Sequence, residues 1–309
     1  MFTIKKIFDR EWYFRKYISC ISKVSRPEKV ELRKLEHLIK RQYLYTFGKP
    51  LNLKSPKSLN EKLIWLSLFW RDPLKSECAD KFKMRAYVTG SIGLSPDLLV
   101  PLLGVWTTPE DLDFSALPDS FVLKCNHGCG YNIIVRDKHE INYNDVKRKL
   151  SEWLSQSYHG AMTEFHYNLI SPRVILCEDY LPSLGSGSVI DYKIHCFNGN
   201  PNFVLVCYDR DENEVAKLAT FDFEWHQLFY VVDEIPVNIE KPQSLTLMIE
   251  YAKKLSSQFP FVRVDFYDVE GKPLLGELTF TPYGNMIDYY KPEILDALGN
   301  KLLLPSKVL

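Results

Sequence analysis

The sequence predicts an α+β protein with a helical N-terminal region. Residues 28–47 place apolar side chains at helical spacings, and a second helix is predicted to begin at Ser58. From Phe121 onward, short apolar runs alternate with polar turns, the pattern of antiparallel hairpins. Such hairpins mixed with a few helices favour an α+β fold over a doubly wound parallel sheet.

Three helices are predicted in the N-terminal region. They cover residues 28–47, 58–69 and 80–88. The second begins at a capping box, in which Ser58 is the N-cap and Glu61 stands three residues later. A strand ending near Trp106 follows, and then an acid- and proline-containing loop, 108–119. This loop marks a predicted boundary between the helical part and the rest of the chain.

The remainder is predicted to be rich in strands. Strands are expected at residues 121–125, 131–136, 173–178, 190–197, 202–208, 218–222, 261–267 and 274–280, and helices at 145–159 and 242–258. No internal repeat or low-complexity segment interrupts this pattern.

Composition is that of an ordinary globular protein, with 309 residues, 46% hydrophobic and 25% charged. No apolar run approaches the roughly 18 residues of a membrane-spanning helix. Charged residues interrupt the first twenty positions, which argues against a signal peptide. The seven cysteines are scattered through apolar segments, as reduced thiols are. We therefore expect a cytoplasmic protein.

Charge is unevenly distributed although the net charge is zero. Residues 1–62 hold 16 Lys or Arg and 6 Asp or Glu, a net charge of +10. Such a segment is compatible with contact to anionic lipid headgroups at the inner face of the membrane, or to an acidic polymer. The alternative is a pair of helices with solvated basic faces.

The most informative segment is a predicted hairpin, residues 261–280, with a polar five-residue turn centred near Gly271. Asp265 and Glu277 stand six residues on either side of Gly271, so they are expected to lie opposite each other. Arg263 and Thr279 pair by the same symmetry. Side chains alternate along a strand, so these four project from one face while apolar neighbours pack on the other.

Paired carboxylates at this spacing, about 4.5–5.5 Å between Cβ atoms, repel unless a cation or a shared proton lies between them. Mg²⁺ binds one or two carboxylates together with substrate phosphates. The Arg263 guanidinium could then hold a phosphoryl or acyl-phosphate oxygen. A solvated face with an ordinary Arg–Asp pair is the alternative.

A second candidate is the strand ending at Lys124 and the glycine-containing loop after it, CNHGCG. Loops of this kind present backbone N–H groups to phosphate oxygens, and a lysine adds a point charge. Neither a dinucleotide-binding fingerprint nor a Walker loop is present. Cys125, His127 and Cys129 have no second ligand pair at zinc-like spacing, which disfavours zinc.

Two further strands carry candidate polar residues. An apolar strand, 174–177, runs into Glu178, Asp179, Tyr180 and Leu181. The extended connection that follows could read an adenine edge with its free backbone groups. The strand 190–197 places Asp191, Lys193 and His195 on one face, and Lys193 would add a second cation for a triphosphate.

Asp209 and Asp211 have the Asp-x-Asp spacing with which nucleotide-sugar glycosyltransferases hold Mn²⁺. A solvated polar turn is the simpler interpretation of the DRDENE stretch.

In this order, the segments resemble the ATP-grasp superfamily, and in particular its branch of teichuronopeptide and capsular polysaccharide biosynthesis. The motif segments are DKFKMR at 80–85, the Lys124 strand with its glycine loop, the strand ending EDYL at 178–181, the Lys193 strand and the closing hairpin with R-x-D and E-x-T. Segments outside the nucleotide motifs also resemble that branch: FGKPLNL at 47–53, SLNEK at 58–62, VPLLGVW at 100–106 and FDFEWH at 221–226.

The resemblance implies two α+β subdomains that clamp ATP, behind a helical N-terminal region. The implied divisions are a helical domain at 1–117, a lid subdomain at 118–186 and a C-terminal subdomain with the metal-binding hairpin at 187–309. The implied nucleotide-binding residues are Lys124, Asn126, His127, Gly128, Gly130, Glu178, Asp179, Tyr180, Leu181 and Lys193.

The resemblance further implies that Asp265 and Glu277 hold Mg²⁺, with Thr279 as a third, weaker ligand. The wider superfamily usually has Asn at the position of Thr279, which leaves the number of metal ions open. Arg263 and Lys193 would be the catalytic residues, with Arg263 stabilising the transferred phosphoryl group.

The implied activity is that of an ATP- and Mg²⁺-dependent carboxylate–amine ligase acting through an acyl phosphate. The expected substrates are an amino acid or amine and a uronic acid of a surface or capsular polysaccharide precursor, and no nucleic acid is expected as a partner. A glycosyltransferase, an ATP-dependent glycan kinase and a non-catalytic nucleotide-binding protein remain the alternatives.

Overall fold

The computed structural model describes residues 32–158, 160–181, 190–209 and 216–306. Its helices are α1 (Leu32–Phe47), α2 (Leu59–Phe69), α3 (Pro73–Ala79), α4 (Lys83–Ala86), α5 (Tyr143–Ser155), α6 (Leu245–Ser256) and α7 (Pro292–Lys301). Its strands are β1 (Leu102–Trp106), β2 (Phe121–Cys125), β3 (Asn132–Val135), β4 (Ile175–Asp179), β5 (Asp191–Phe197), β6 (Asn200–Tyr208), β7 (Lys217–Phe221), β8 (Phe261–Val269) and β9 (Lys272–Thr279).

The first sheet has four antiparallel strands in the order β1-β4-β2-β3. Strand β2 pairs with β3 on one side, where Lys124 lies opposite Asn132, and with β4 on the other, where Val122 lies opposite Glu178. The sheet packs against α5, and Val146 and Leu150 of that helix belong to its own hydrophobic core. We call this unit the lid sheet.

The second sheet has five antiparallel strands in the order β7-β6-β5-β8-β9. Strand β5 places Lys193 opposite Asp265 of β8, and β8 places Asp265 opposite Glu277 of β9. The helices of the N-terminal region and α6 share one hydrophobic core with this sheet. We call it the C-terminal sheet. The two antiparallel sheets and the helical N-terminal region confirm the α+β prediction.

The predicted hairpin register is confirmed, but the turn is shorter than the predicted five residues. Val269 pairs with Lys272, so only Glu270 and Gly271 form the loop. Both have positive φ, 52° and 77°, as a two-residue type I′ turn requires. A bulge between Asp265 and Phe266 then shifts the pairing by one residue. It restores the alignment of Asp265 with Glu277 that symmetry about Gly271 had predicted.

The capping box of α2 is confirmed, because Ser58 Oγ accepts from the Glu61 N–H at 3.4 Å and Glu61 Oε2 accepts from the Ser58 N–H at 3.1 Å. The helix predicted at 80–88 begins later, at Lys83, and continues as a π-helix over Tyr87–Ser91. Asp80 ends α3, and its carboxylate accepts from the N–H groups of Phe82 and Lys83 at 2.8 and 3.2 Å. These contacts form the connection to α4, whose N-cap residue is Phe82.

Several predictions lie wholly or partly outside the described residues. They concern the basic N-terminal segment up to residue 31, Asp211 and the boundary at 186/187. The proposed division at 117/118 stays a prediction. Within the described ranges, none of the helices combines the length and apolar character needed to cross a membrane.

Candidate active site

The centre of the candidate site is a bidentate ion pair on β8. Arg263 Nε and Nη2 donate to the two carboxylate oxygens of Asp265 at 2.7 and 2.6 Å. Only 3% of the Asp265 surface is exposed. Burial alone would raise the pKa of Asp265, but the positive charges of Arg263 and Lys193 hold it below its ordinary value. Asp265 is therefore ionised at neutral pH.

Strand β5 brings a second cation to the same carboxylate. Lys193 Nζ donates to Asp265 Oδ2 at 2.8 Å and lies 3.6 Å from Asp191 Oδ2. Burial opposes the charge of Lys193, but Asp265 outweighs it and raises the pKa of the ammonium group. Arg263, Lys193 and Asp265 therefore form one charged network across the adjacent strands β5 and β8.

Strand β9 supplies the second carboxylate. Thr279 Oγ1 donates to Glu277 Oε1 at 2.8 Å and accepts from Arg263 Nη2 at 3.2 Å. The Glu277 side chain is 36% exposed, and its Oε1 lies 3.6 Å from Arg263 Nη2. The four residues that alternation predicted on one face do converge, and Glu277 is the member that faces open space.

These side chains fit a magnesium ion by the chemistry of their donors. Mg²⁺ prefers oxygen ligands and keeps several from water or phosphate, and Asp265, Glu277 and Thr279 offer only carboxylate and hydroxyl oxygens. Within the described ranges, no group of three or more His, Cys, Asp or Glu side chains could hold a metal ion. A metal at this hairpin would therefore take its remaining ligands from substrate phosphates and water.

A second charged group lies on the lid sheet. Lys124 Nζ donates to Glu178 Oε2 at 2.6 Å, and Arg85 Nη1 lies 3.6 Å from Glu178 Oε1. Strands β2 and β4 are neighbours, so the two predicted residues meet across the sheet. The Glu178 carboxylate therefore holds the charged groups of Lys124 and Arg85 close together at the end of the lid sheet.

Lys81 is a buried lysine that is absent from the predicted site residues. Its Nζ donates to the Gly128 carbonyl at 2.5 Å. Burial lowers the pKa of Lys81, and it lies within electrostatic range of both Glu277 and Glu178. Lys81 therefore contacts the glycine loop and lies within electrostatic range of both the C-terminal hairpin and the lid sheet. The DKFKMR segment at 80–85 contributes to the family resemblance, but the sequence predicts no separate role for Lys81.

The glycine loop has the backbone freedom that was predicted. Gly128 and Gly130 have φ values of 95° and 75°, a region that L side chains rarely occupy. A Cβ on Gly128 would lie 2.3 Å from the Tyr158 ring, whereas nothing lies within 4 Å of the corresponding position on Gly130. One glycine therefore permits close packing and the other faces open space.

Asn126 and His127 are both buried beneath this loop. The Asn126 amide donates to Asp80 Oδ2 and to the Pro172 carbonyl, each at 3.0 Å, and accepts from the Val174 N–H at 2.8 Å. His127 Nε2 lies 3.0 Å from the Trp153 carbonyl, and burial lowers the pKa of the ring to about 4. Both contacts hold the loop in place, and direct nucleotide binding by either residue stays a prediction.

The predicted adenine hinge follows β4. The Asp179 N–H donates to the Pro101 carbonyl at 3.0 Å, and Asp179 itself is exposed. Tyr180 and Leu181 are half-buried, and the chain beyond them lies outside the described ranges until Ile190. The role of these residues in reading adenine stays a prediction.

The other predicted metal-binding pair is not supported by its surroundings. Asp209 is exposed and accepts from Lys217 Nζ at 2.7 Å. Its predicted partner, Asp211, is among the residues that the structure does not describe.

Two antiparallel sheets that present lysines, a glycine loop and paired carboxylates to a shared site define a protein of the ATP-grasp class. The chain belongs to the TupA-like ATP-grasp family, because the profile described as "TupA-like ATPgrasp" matches residues 61–303. The predicted superfamily and branch are therefore confirmed.

Comparison with solved structures gives distant similarities. D-alanine–D-alanine ligase from Bacillus anthracis, complexed with ATP, is 18% identical with a TM-score of 0.45, over 76% of this chain and 63% of that one. L-amino acid ligase from Bacillus licheniformis is 14% identical with a TM-score of 0.46, over 80% and 55%. D-alanine–D-alanine ligase from Helicobacter pylori is 16% identical with a TM-score of 0.42, over 73% and 61%.

The chain thus spans between 55% and 63% of the length of these three solved structures. No curated protein gives a significant match to the chain.

Proposed function

We propose that the protein is an ATP- and Mg²⁺-dependent carboxylate–amine ligase. The observation that carries this proposal is the charged network of Arg263, Lys193, Asp265 and Glu277, together with the Lys124–Glu178 pair. Lys81 lies within electrostatic range of both Glu277 and Glu178. Membership in an ATP-grasp family supports the use of ATP at this site.

In the first step, an oxygen of the substrate carboxylate attacks the γ-phosphorus of ATP. The bond to ADP breaks and an acyl phosphate forms. Lys124, Lys193 and Lys81 would hold the phosphates, with Gly128 and Gly130 supplying the loop over them. Asp265 and Glu277, with Thr279, would hold Mg²⁺, which when bound neutralises phosphate charge.

In the second step, an amine nitrogen attacks the acyl carbon, phosphate leaves, and the nitrogen loses a proton as the amide forms. Arg263 lies between Asp265, Glu277 and Thr279, where its guanidinium can stabilise charge on the transferred group. A closed lid would protect the acyl phosphate from water.

For the substrates, we propose a uronic acid of a surface or capsular polysaccharide precursor and an amino acid or amine. The resemblance of the sequence to the polysaccharide branch supports the uronic acid. A basic N-terminal segment is compatible with an acidic glycan or with peripheral membrane contact.

The first experiment compares melting temperatures with Mg²⁺ and ATP, ADP or a panel of nucleotide sugars. A ligand that binds only the native state stabilises it by about 2.7 kcal/mol at a hundred times its Kd. We expect ATP to raise the melting temperature of the wild type, and Glu277→Ala to lose most of that increase. Asp209→Asn changes an exposed acid outside the site and should keep the wild-type response.

Each alternative function predicts a different result. Stabilisation by a nucleotide sugar but not by ATP, with loss of the effect in Asp209→Asn, would identify a glycosyltransferase. If ATP binds, the ligase is tested by adding glucuronic acid together with each of a panel of amino acids and amines. The assay measures the release of ADP and phosphate. A phosphorylated product would indicate a kinase, and binding without turnover a non-catalytic protein.

A further inference from the structure

Tyr158 joins the glycine loop of the lid sheet to the other hydrophobic core. A Cβ on Gly128 would lie 2.3 Å from the Tyr158 ring, so the ring packs directly against the loop. The ring also meets the ring of Tyr131 edge to face at 5.7 Å. Tyr131 packs on the core of the lid sheet, whereas Tyr158 packs on the core that the C-terminal sheet shares with the N-terminal helices. Tyr158 therefore supports the loop from outside the lid.

The position of Tyr158 is fixed by its neighbours along the chain. Its N–H donates to Asn168 Oδ1 at 2.8 Å, and its carbonyl accepts from Asn168 Nδ2 at 3.2 Å. Its ring also meets the ring of Tyr167 at 5.0 Å, and Tyr167 is buried. The Tyr158 ring therefore sets how closely Gly128 can approach the C-terminal sheet and its core.

Glu164 continues this contact towards the C-terminal hairpin. At Gly160, the Tyr158 hydroxyl and Glu164 Oε2 both lie within 2.4 Å of the place where a Cβ would stand, so the two side chains meet there. Glu164 is buried, and its Oε2 accepts from the Ala161 N–H at 2.7 Å. Its Oε1 accepts from Thr281 Oγ1 at 3.4 Å. One carboxylate thus touches Tyr158 on one side and the loop after β9 on the other.

A second hydrogen bond attaches the same segment to the loop after β9. The Thr163 hydroxyl donates to the Gly284 carbonyl at 2.7 Å, and Thr163 and Thr281 are both buried. Thr281 stands two residues after Thr279, the last residue of β9. We call Tyr158 and residues 160–164 the strap. The strap is held at the end of the β8–β9 hairpin by two hydrogen bonds, and its Tyr158 ring packs against the glycine loop.

We propose that Tyr158 and Glu164 are positioning residues, which set the distance between the glycine loop and the β8–β9 hairpin. The loop and the hairpin would hold one triphosphate from two sides, so a change in their separation would misplace the phosphate groups. Neither residue is among the predicted site residues, and each acts through the loop or the hairpin, not on ATP itself. This inference rests on the proposed ligase function and assigns to it the segment that aligns the two halves of the site.

The test measures the Kd of the full chain for ATP with Mg²⁺ by calorimetric titration. Tyr158→Phe and Thr281→Val each remove one hydroxyl and keep most of the side chain. We expect each to raise the Kd about fivefold or more, because the strap loses one of its contacts. Tyr143→Phe and Thr89→Val remove hydroxyls at exposed positions and should keep the wild-type Kd.

The double variant tests whether the two hydroxyls act through one segment. If Glu164 links them, the loss of either one already releases the loop. Tyr158→Phe combined with Thr281→Val should then raise the Kd by no more than about twofold beyond the larger single effect. Glu164→Ala removes the link and should match the double variant, whereas Glu164→Gln keeps an acceptor and a similar shape and should retain most of the affinity. Single effects that simply multiply would overturn the inference.

A purely structural role predicts a different result. The variants would then lose unfolding free energy in urea and still bind ATP with the wild-type Kd, which would overturn the inference. We expect instead that the amides of residues 128–130 exchange hydrogen faster in the ATP-bound variants than in the ATP-bound wild type, while those of β8 do not change. A wild type that fails to bind ATP would refute the ligase function itself, on which this inference rests.

Discussion

At the scale of single residues, the site concentrates charge that the fold has to stabilise internally. Asp265 accepts three hydrogen bonds from Arg263 and Lys193 while almost fully buried. Removing one member of a buried ion pair typically costs 3–5 kcal/mol, because the partner charge is left uncompensated. Substitutions here would therefore affect folding as well as chemistry, which is why the more exposed Glu277 is the better first test.

His195 makes the stability of the protein depend on pH. It is fully buried, its ring stacks on Phe203 at 4.3 Å, and its Nε2 lies 3.3 Å from the Tyr290 hydroxyl. Burial, with the charge of Arg263, lowers its pKa from 6.5 to about 3. Between pH 6.5 and about pH 3, His195 therefore binds a proton in the unfolded chain but not in the native state. This contribution to stability is present above about pH 6.5 and is lost as the pH falls towards 3.

We expect His195→Gln to flatten this dependence. Between pH 6 and pH 5, the wild type should lose about 1 kcal/mol more unfolding free energy than the variant, since one proton corresponds to about 1.4 kcal/mol per pH unit. Urea unfolding across this range measures the difference. His139→Gln, an exposed histidine, serves as control. An unchanged slope in His195→Gln would show that the buried ring is not the source.

At the scale of elements, the glycine loop offers a matched pair of substitutions. Gly128→Ala would place a methyl group 2.3 Å from the Tyr158 ring in a left-handed backbone, whereas Gly130→Ala meets only the backbone strain. That strain costs about 1–2 kcal/mol. We expect Gly128→Ala to weaken ATP binding at least tenfold and Gly130→Ala to have a smaller effect. Calorimetric titration with ATP and Mg²⁺ measures both, and equal losses would contradict the packing argument.

The hairpin β8–β9 shows how far sequence can predict an element. Alternation and symmetry about Gly271 correctly paired Asp265 with Glu277 and Arg263 with Thr279. The two-residue turn and the compensating bulge were not predicted, because a polar run permits several turn lengths. The pairing was correct because the one-residue shift of the bulge offsets that of the shorter turn.

At the scale of the whole molecule, the segment 160–170 connects the two sheets. Following α5, it reaches the loop after β9, where the Thr163 hydroxyl donates to the Gly284 carbonyl at 2.7 Å. Its Ala161 Cβ lies 2.4 Å from where a Cβ on Gly284 would stand. The lid sheet has its own hydrophobic core, separate from the core shared by the C-terminal sheet and the N-terminal helices. We therefore expect the lid sheet to move as a unit.

We expect the lid sheet to open more readily than the C-terminal sheet, because its separate core is smaller. Without nucleotide, amides of β2 should exchange hydrogen faster than those of β8, and ATP with Mg²⁺ should slow both. Thr163→Val removes a buried hydrogen bond and should cost about 1–3 kcal/mol while speeding exchange in β2. Thr89→Val, whose hydroxyl donates at an exposed position, is the control. Equal exchange in both sheets would indicate a single cooperative unit.

The sequence by itself determined the α+β class, the family and the candidate residues on strands. Period-two alternation fixes which face a residue occupies, and cross-strand pairing within one hairpin is local. These two patterns identify candidate site residues from the sequence, among them Glu277, Lys193 and Lys124. The roles of all of them in binding stay predictions.

Only the tertiary structure decided which distant segments converge. Lys81 meets the glycine loop 47 residues away, and Glu164 meets Thr281 across 117 residues. Lys75 looks like any surface lysine of a short helix, and nothing in its neighbours along the chain marks it as buried. Such contacts depend on how helices and sheets pack, and packing is a property of the whole chain that local patterns do not encode.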